Sequence, residues 1–206
     1  MRRALRFRAS GVAGALVTHA HGDHARGVRD ALGASIDCYM SAGAARDAGV
    51  AGHHRLTLLT AHEAVMVGPF LVYPFEAIHD AAEPLNFVVR GPSCTKLLYV
   101  SDSSYCPYRF DGLGIVAIEA NYSTRILREN VESGSIPRVH MHRVLASHMS
   151  IERAVELLKA NDLSRVEEIH LLHLSDGNSH ADEFQQLVAR ASGKPTYIAD
   201  RKETAA

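Results

Sequence analysis

The chain predicts an α/β fold in which two sheets are flanked by helices. Three observations carry this expectation. The 206 residues, 47% of them apolar and 22% charged, suffice for one domain with a sizeable core, taken here as residues 1–206. Short apolar runs separated by turn residues crowd the middle of the chain. Segments of helical period stand at both ends, and sheets covered by helices satisfy that order.

The elements follow in order. Residues 1–10 carry Arg2, Arg3, Arg6 and Arg8 and read as a helical remnant with a solvated basic face. Residues 13–18 form a buried strand. Residues 25–32 form a helix, with Asp23 as its cap and Gly33 as its stop. A short strand over 36–40 precedes a short helix over 41–48 that ends at Gly49. Residues 54–59, 64–67 and 70–78 are strands, with turns around Thr60-Ala61-His62 and Gly68-Pro69. Residues 85–90 and 96–101 make a hairpin across Gly91-Pro92-Ser93, and 115–120 is another apolar strand. Helices follow over 124–132 and 150–160, the second started by Ser150, which supplies half a capping box. A strand over 168–174, a helix over 182–191 and a strand over 196–199 complete the pattern.

Thr18-His19-Ala20-His21-Gly22-Asp23-His24 puts three imidazoles and a carboxylate directly after an apolar run. Histidine is the commonest metal ligand and carboxylates complete divalent sites. His19 and His21 are two apart, so they point the same way if strand geometry continues. Asp23 and His24 then fall in the turn. Further polar residues stand at strand or helix ends: His79, Asp102, His148 and His173. Singly, a strand-end Asp is a turn former and a lone His on an apolar strand is a core residue. Jointly they complete the six or seven ligands that a pair of ions needs. His53, His54, His62, His140, His142, His170 and His180 fit no such pattern and read as exposed or structural. His170 is three before His173, which on a strand turns it to the opposite face.

The stretches THAHGDH, AIHDAAEP, YVSDSS and HLLHLSDGN, in that order, resemble the metallo-β-lactamase-fold hydrolases over nearly the whole chain. The resemblance implies an αββα sandwich with two divalent ions at the sheet edges. It gives His19, His21 and His79 to one ion, and Asp23, His24 and His173 to the other, with Asp102 bridging. Asp23 also counts among the catalytic residues. Histidine-rich sites suit zinc, and mixed histidine and carboxylate sites also accept manganese or iron. His148-Met149-Ser150, a helix, then His173-Leu174-Ser175 resembles the C-terminal part of ribonuclease Z, where the first histidine donates a proton. IEANYS and LLHLSDGNS resemble small bacterial and phage relatives regarded as nucleases or phosphodiesterases. The function implied is a phosphodiesterase or nuclease in which a hydroxide shared by the ions attacks phosphorus and His148 is the general acid. Two alternatives stand beside it: a hydrolase of another ester, thioester or lactam, and an inactive, metal-binding short form. The resembled families place further strands ahead of the first motif. Only 18 residues precede His19 here, none acidic, so two or three strands of the first sheet are expected to be missing, with the true start upstream. The unpaired edge would invite a homodimer.

The net charge of −1 excludes a global attraction to polyanions, so a nucleic-acid substrate must be gripped locally. Three separated cysteines suggest no disulfide framework and fit a reducing cytoplasm. No apolar run reaches the roughly 18 residues of a membrane span, so no membrane partner is expected.

Overall fold

The computed structural model describes residues 11–199. The arginine-rich start, read above as a helical remnant, lies outside the described residues. The chain divides into two compact units. One runs to Glu76 and includes Ala81–Ser93; the other comprises Ala77–Asp80 and the chain from Cys94 onward.

In the first unit, β1 (Ala15–Leu16), β2 (Cys38–Ser41) and β3 (Leu56–Leu59) pair in parallel in that order. Helices α1 (Gly22–Ala25) and α2 (Val28–Gly33) link β1 to β2, and α3 (Ala42–Asp47) follows β2. Val17, Val28, Leu32, Ile36, Met40 and Ala45 share one buried cluster between these pieces. Gly14 is required just before β1: a Cβ there would lie 2.6 Å from the Tyr39 ring. Ser41 caps α3 by accepting the Ala44 N–H. The single helix expected over 25–32 is a pair. Gly27 interrupts it and becomes the N-cap of α2, and Asp23 lies in the first turn of α1 instead of capping. β4 (Val65–Val67), β5 (Phe70–Glu76) and β6 (Leu85–Arg90) are antiparallel, β4 and β5 being joined at Gly68-Pro69. Gly68 has a φ of +56°, where a side chain would be strained.

In the second unit, β7 (Lys96–Val100), β8 (Leu113–Glu119), β9 (Glu168–Leu172) and β10 (Thr196–Ile198) pair in parallel, neighbour to neighbour. β8 is buried along nearly its whole length, as a central parallel strand is. On β9, Ile169 and Leu171 are buried and His170 is half-buried, with its imidazole 3.2 Å from Glu168 and stacked on Tyr197. Between β8 and β9 run α4 (Thr124–Glu132), α5 (Arg138–Ser147) and α6 (Ile151–Ala160); α7 (Ala181–Ser192) links β9 to β10. Ser150 starts α6 by accepting the Arg153 N–H, as expected. Helix α5 was not foreseen. Val144 is buried with Tyr122 and Leu127, and Met141 and Leu145 pack against them, but Val139 is 81% exposed, which blurs the apolar period that would have announced the helix.

Because the four strands of the second unit are parallel, their C-terminal ends lie along one edge. Asp102 follows β7, Glu119 ends β8 and His173 follows β9. Ligands bind outside that edge in sheets of this kind.

Candidate metal centre

The candidate ligands fall into two sets, one in each unit. In the first, the chain leaves β1 and turns into α1 within six residues, which gathers the side chains of His19, His21, Asp23 and His24. His19 Nε2 and His21 Nδ1 lie 3.0 Å apart. Thr18 Oγ1 stands 3.0 Å from His19 Nδ1 and 3.3 Å from His24 Nδ1, and so holds two of the three rings. The His19 and His24 rings lie 4.3 Å apart, centroid to centroid, and Asp23 Oδ2 is 3.5 Å from His24 Nε2. His19 is buried and Asp23 exposed.

In the second unit, His79, Asp102, His148 and His173 come together. His79 Nδ1 donates to the Ser147 carbonyl at 2.8 Å, which leaves Nε2 as its lone-pair nitrogen. That Nε2 is 3.8 Å from Asp102 Oδ2. Asp102 Oδ1 lies 2.5 Å from His173 Nδ1 and 3.7 Å from His148 Nδ1. Asp102 and His173 have φ values of 50° and 55°. Left-handed backbone costs energy at non-glycine residues, though less at Asp and His than at most; Ser35, His62, Glu83 and Cys94 adopt it away from this cluster.

Sequence reasoning missed Glu119. Its carboxylate is fully buried. Oε2 accepts the Ser103 N–H at 3.0 Å and the Met149 N–H at 3.1 Å. Oε1 is 2.7 Å from His148 Nδ1 and 3.1 Å from His173 Nδ1. Donor atoms of Asp102, Glu119, His148 and His173 all lie within 4.8 Å of one another. With both oxygens already engaged by protein donors, Glu119 serves as the carboxylate that orients the two imidazoles. The signal was available: an acid ending the strand beside the one that Asp102 follows.

Hydrogen bonding to Asp102, then to Glu119, raises the His173 imidazole to about 10, against the opposing effect of burial. An ion bound there must displace that proton. Around the cluster the backbone is tied down. Ser103 Oγ accepts the Ile78 N–H and donates to the Tyr105 carbonyl, and Asn121 donates to the His173 carbonyl. Half-buried imidazoles with one nitrogen engaged, facing buried carboxylates, are the donor set that suits a divalent cation.

The remaining histidines take other roles. His53 and His54 stack on each other. His62 bridges the Tyr73 hydroxyl and Glu76 at 2.8 and 2.7 Å. His140 and His142 are exposed on α5, and His180 precedes α7. Cys38 and Cys106 are buried and Cys94 is exposed, all free. No helix among the described residues is long and apolar enough to cross a membrane.

Residues 1–171 match the family model of the beta-lactamase superfamily domain. No curated protein matches the chain. Among solved structures it is similar to Igni18, a metallo hydrolase from Ignicoccus hospitalis, at 14% identity and a TM-score of 0.64 over 97% of this chain and 82% of that one. It is similar to the metallo-beta-lactamase fold protein YhfI from Bacillus subtilis at 16% identity and a TM-score of 0.64, covering 93% and 76%. A diphosphatase from the PhnP family is similar at 16% identity and a TM-score of 0.62, covering 96% and 73%. The α/β class expected from the sequence is thus borne out by both the elements and the likeness; at these identities the likeness carries the fold alone.

Proposed function

Because the chain belongs to the beta-lactamase superfamily, a family of metal-dependent hydrolases, we propose that it cleaves phosphodiester bonds, as a phosphodiesterase or nuclease of the ribonuclease Z-like kind. His19, His21, Asp23 and His24 in the first unit, and His79, Asp102 and His173 in the second, are the residues this reading takes as ligands of two divalent ions, and their gathering within each unit supports it. When bound, the ions would activate water and neutralise charge on the phosphoryl oxygens. Zinc fits the histidine-rich sets, and manganese or iron fits the carboxylates.

The observation that carries the reading is the His148–Glu119 pair. His148 terminates α5, and its Nδ1 is 2.7 Å from a fully buried carboxylate. Nδ1 is committed there, so Nε2 is the nitrogen left to give a proton to a departing oxygen. Glu119 fixes the ring in that orientation, as an orienting carboxylate does for a general acid. An alkoxide leaving from phosphorus needs such a donor. The similar PhnP-family protein is described as a diphosphatase, which supports phosphorus over carbonyl chemistry.

The test is metal content of the purified chain together with turnover of bis-p-nitrophenyl phosphate. About two ions per chain are expected, and His148→Ala should lower kcat by about 10²- to 10⁴-fold. No bound metal, or bound metal without phosphodiester turnover, would overturn the proposal.

A further inference from the structure

We propose that the outward face of α5 docks a single-stranded polynucleotide and feeds it to the centre; this rests on the phosphodiesterase reading above. The helix carries Arg138, His140, His142 and Arg143 and no acidic residue, in a chain whose net charge is −1. Its inward side is spent on Met141, Val144 and Leu145, which pack with Tyr122 and Leu127. Arg138 and His142 are four apart, as are Val139 and Arg143, so these four form one exposed strip. Among the described residues, neither Arg138 nor His142 has an acidic partner.

The strip ends at the proposed chemistry. Ser147, the last residue of α5, holds His79 through its carbonyl, and the next residue is His148. Arg143 Nε stands 4.0 Å from Asp80 Oδ2, beside His79, with both side chains exposed. A strand bound along α5 therefore arrives at the proton donor. Ten residues of helix span ~15 Å, room for about four nucleotides of one strand at ~3.4 Å each. Val139, 81% exposed between the charged residues, offers an apolar contact to a sugar or unstacked base. Two arginines and no acid on a rigid helix that leads into a hydrolytic centre match a phosphate backbone, with a phosphate taking the place of Asp80 at Arg143, and carry no base preference.

The experiment is binding of labelled DNA and RNA single strands to the metal-loaded His148→Ala protein, by fluorescence anisotropy across a salt series. In that background, Arg138→Gln with Arg143→Gln should weaken binding roughly tenfold and lower the salt slope by about 1.4, equally for all base sequences. Arg138→Lys with Arg143→Lys should keep the salt slope, which separates lost charge from misfolding. An equal charge change elsewhere, Arg190→Gln with Lys194→Gln, should leave both quantities unchanged. Tighter binding of RNA or of DNA supports the proposal and identifies the sugar. Equal losses in the two double-glutamine variants, displacement by polyglutamate as effective as by an oligonucleotide, or no binding by the parent protein would overturn it. Turnover of bis-p-nitrophenyl phosphate by the unsubstituted protein, without strand binding, refutes the docking face alone. Strand binding without that turnover refutes the hydrolase reading, and with it the feeding role of α5.

Discussion

Ser103 ties both flanks of the second ligand set through one small side chain. Its hydroxyl accepts the Ile78 N–H next to His79 and donates to the Tyr105 carbonyl, while its own N–H reaches Glu119. Ser103→Ala keeps the backbone bond to Glu119 but frees the segment that carries His79. Metal affinity is expected to fall by about 10- to 100-fold, read by competition with a chromophoric chelator. An unchanged affinity would mean that the hydroxyl is incidental. Glu119→Gln preserves shape and removes charge, so the same range of loss is expected in turnover, with the fold intact by circular dichroism. Residues of this kind were only partly legible in the sequence. His79, Asp102, His148 and His173 stood out because imidazoles and acids at element ends have few other reasons to be there. Ser103 and Glu119 did not, because a serine in a turn and an acid closing an apolar strand have ordinary explanations until the fold sets them beside the histidines.

Among the elements, α4 lacks a cap of its own. Ser123 precedes it without a side-chain capping bond, and the Glu152 carboxylate of α6 takes that place, accepting the Thr124 N–H and the Ser123 and Thr124 hydroxyls. Burial acts to raise the Glu152 carboxyl, but hydrogen bonds from Ser150, its own amide and Thr124 outweigh it, and the group sits below its ordinary 4.5. A lowered carboxyl stabilises the fold fully above its unfolded value, and that stabilisation is lost as pH falls through the folded one. Glu152→Gln should therefore lower Tm at neutral pH, by an amount equivalent to about 1 kcal/mol. The two proteins should melt alike in acid well below pH 4.5. A gap of constant size across pH would show that charge is not what Glu152 contributes. Helix α4 was legible to the residue, since its apolar positions agree with the buried face. Helix α5 was not: two of its exposed positions carry arginine and another carries valine, so neither period nor polarity marks the inward side.

Over the whole molecule, the likeness to solved metallo-β-lactamase-fold structures spans nearly the full chain, and ligand types stand in both units. A bound ion favours the folded chain by mass action, by about 2.7 kcal/mol per site at a hundredfold excess over its Kd. Thermal melts should rise on adding a divalent ion and fall with a chelator, and equal melts would argue against a metal centre. Global architecture was legible because parallel strands and their helices impose patterns many residues long. The first-unit break at Gly27 was not, because one glycine can end a helix or be carried inside it.

The left-handed backbone at Asp102 and His173 sets stability and purpose against each other. Glycine or asparagine at either position would relieve the strain. A population of variants selected only for heat resistance should drift toward those residues there, glycine above all, whereas selection on the centre would hold the carboxylate and the imidazole in place.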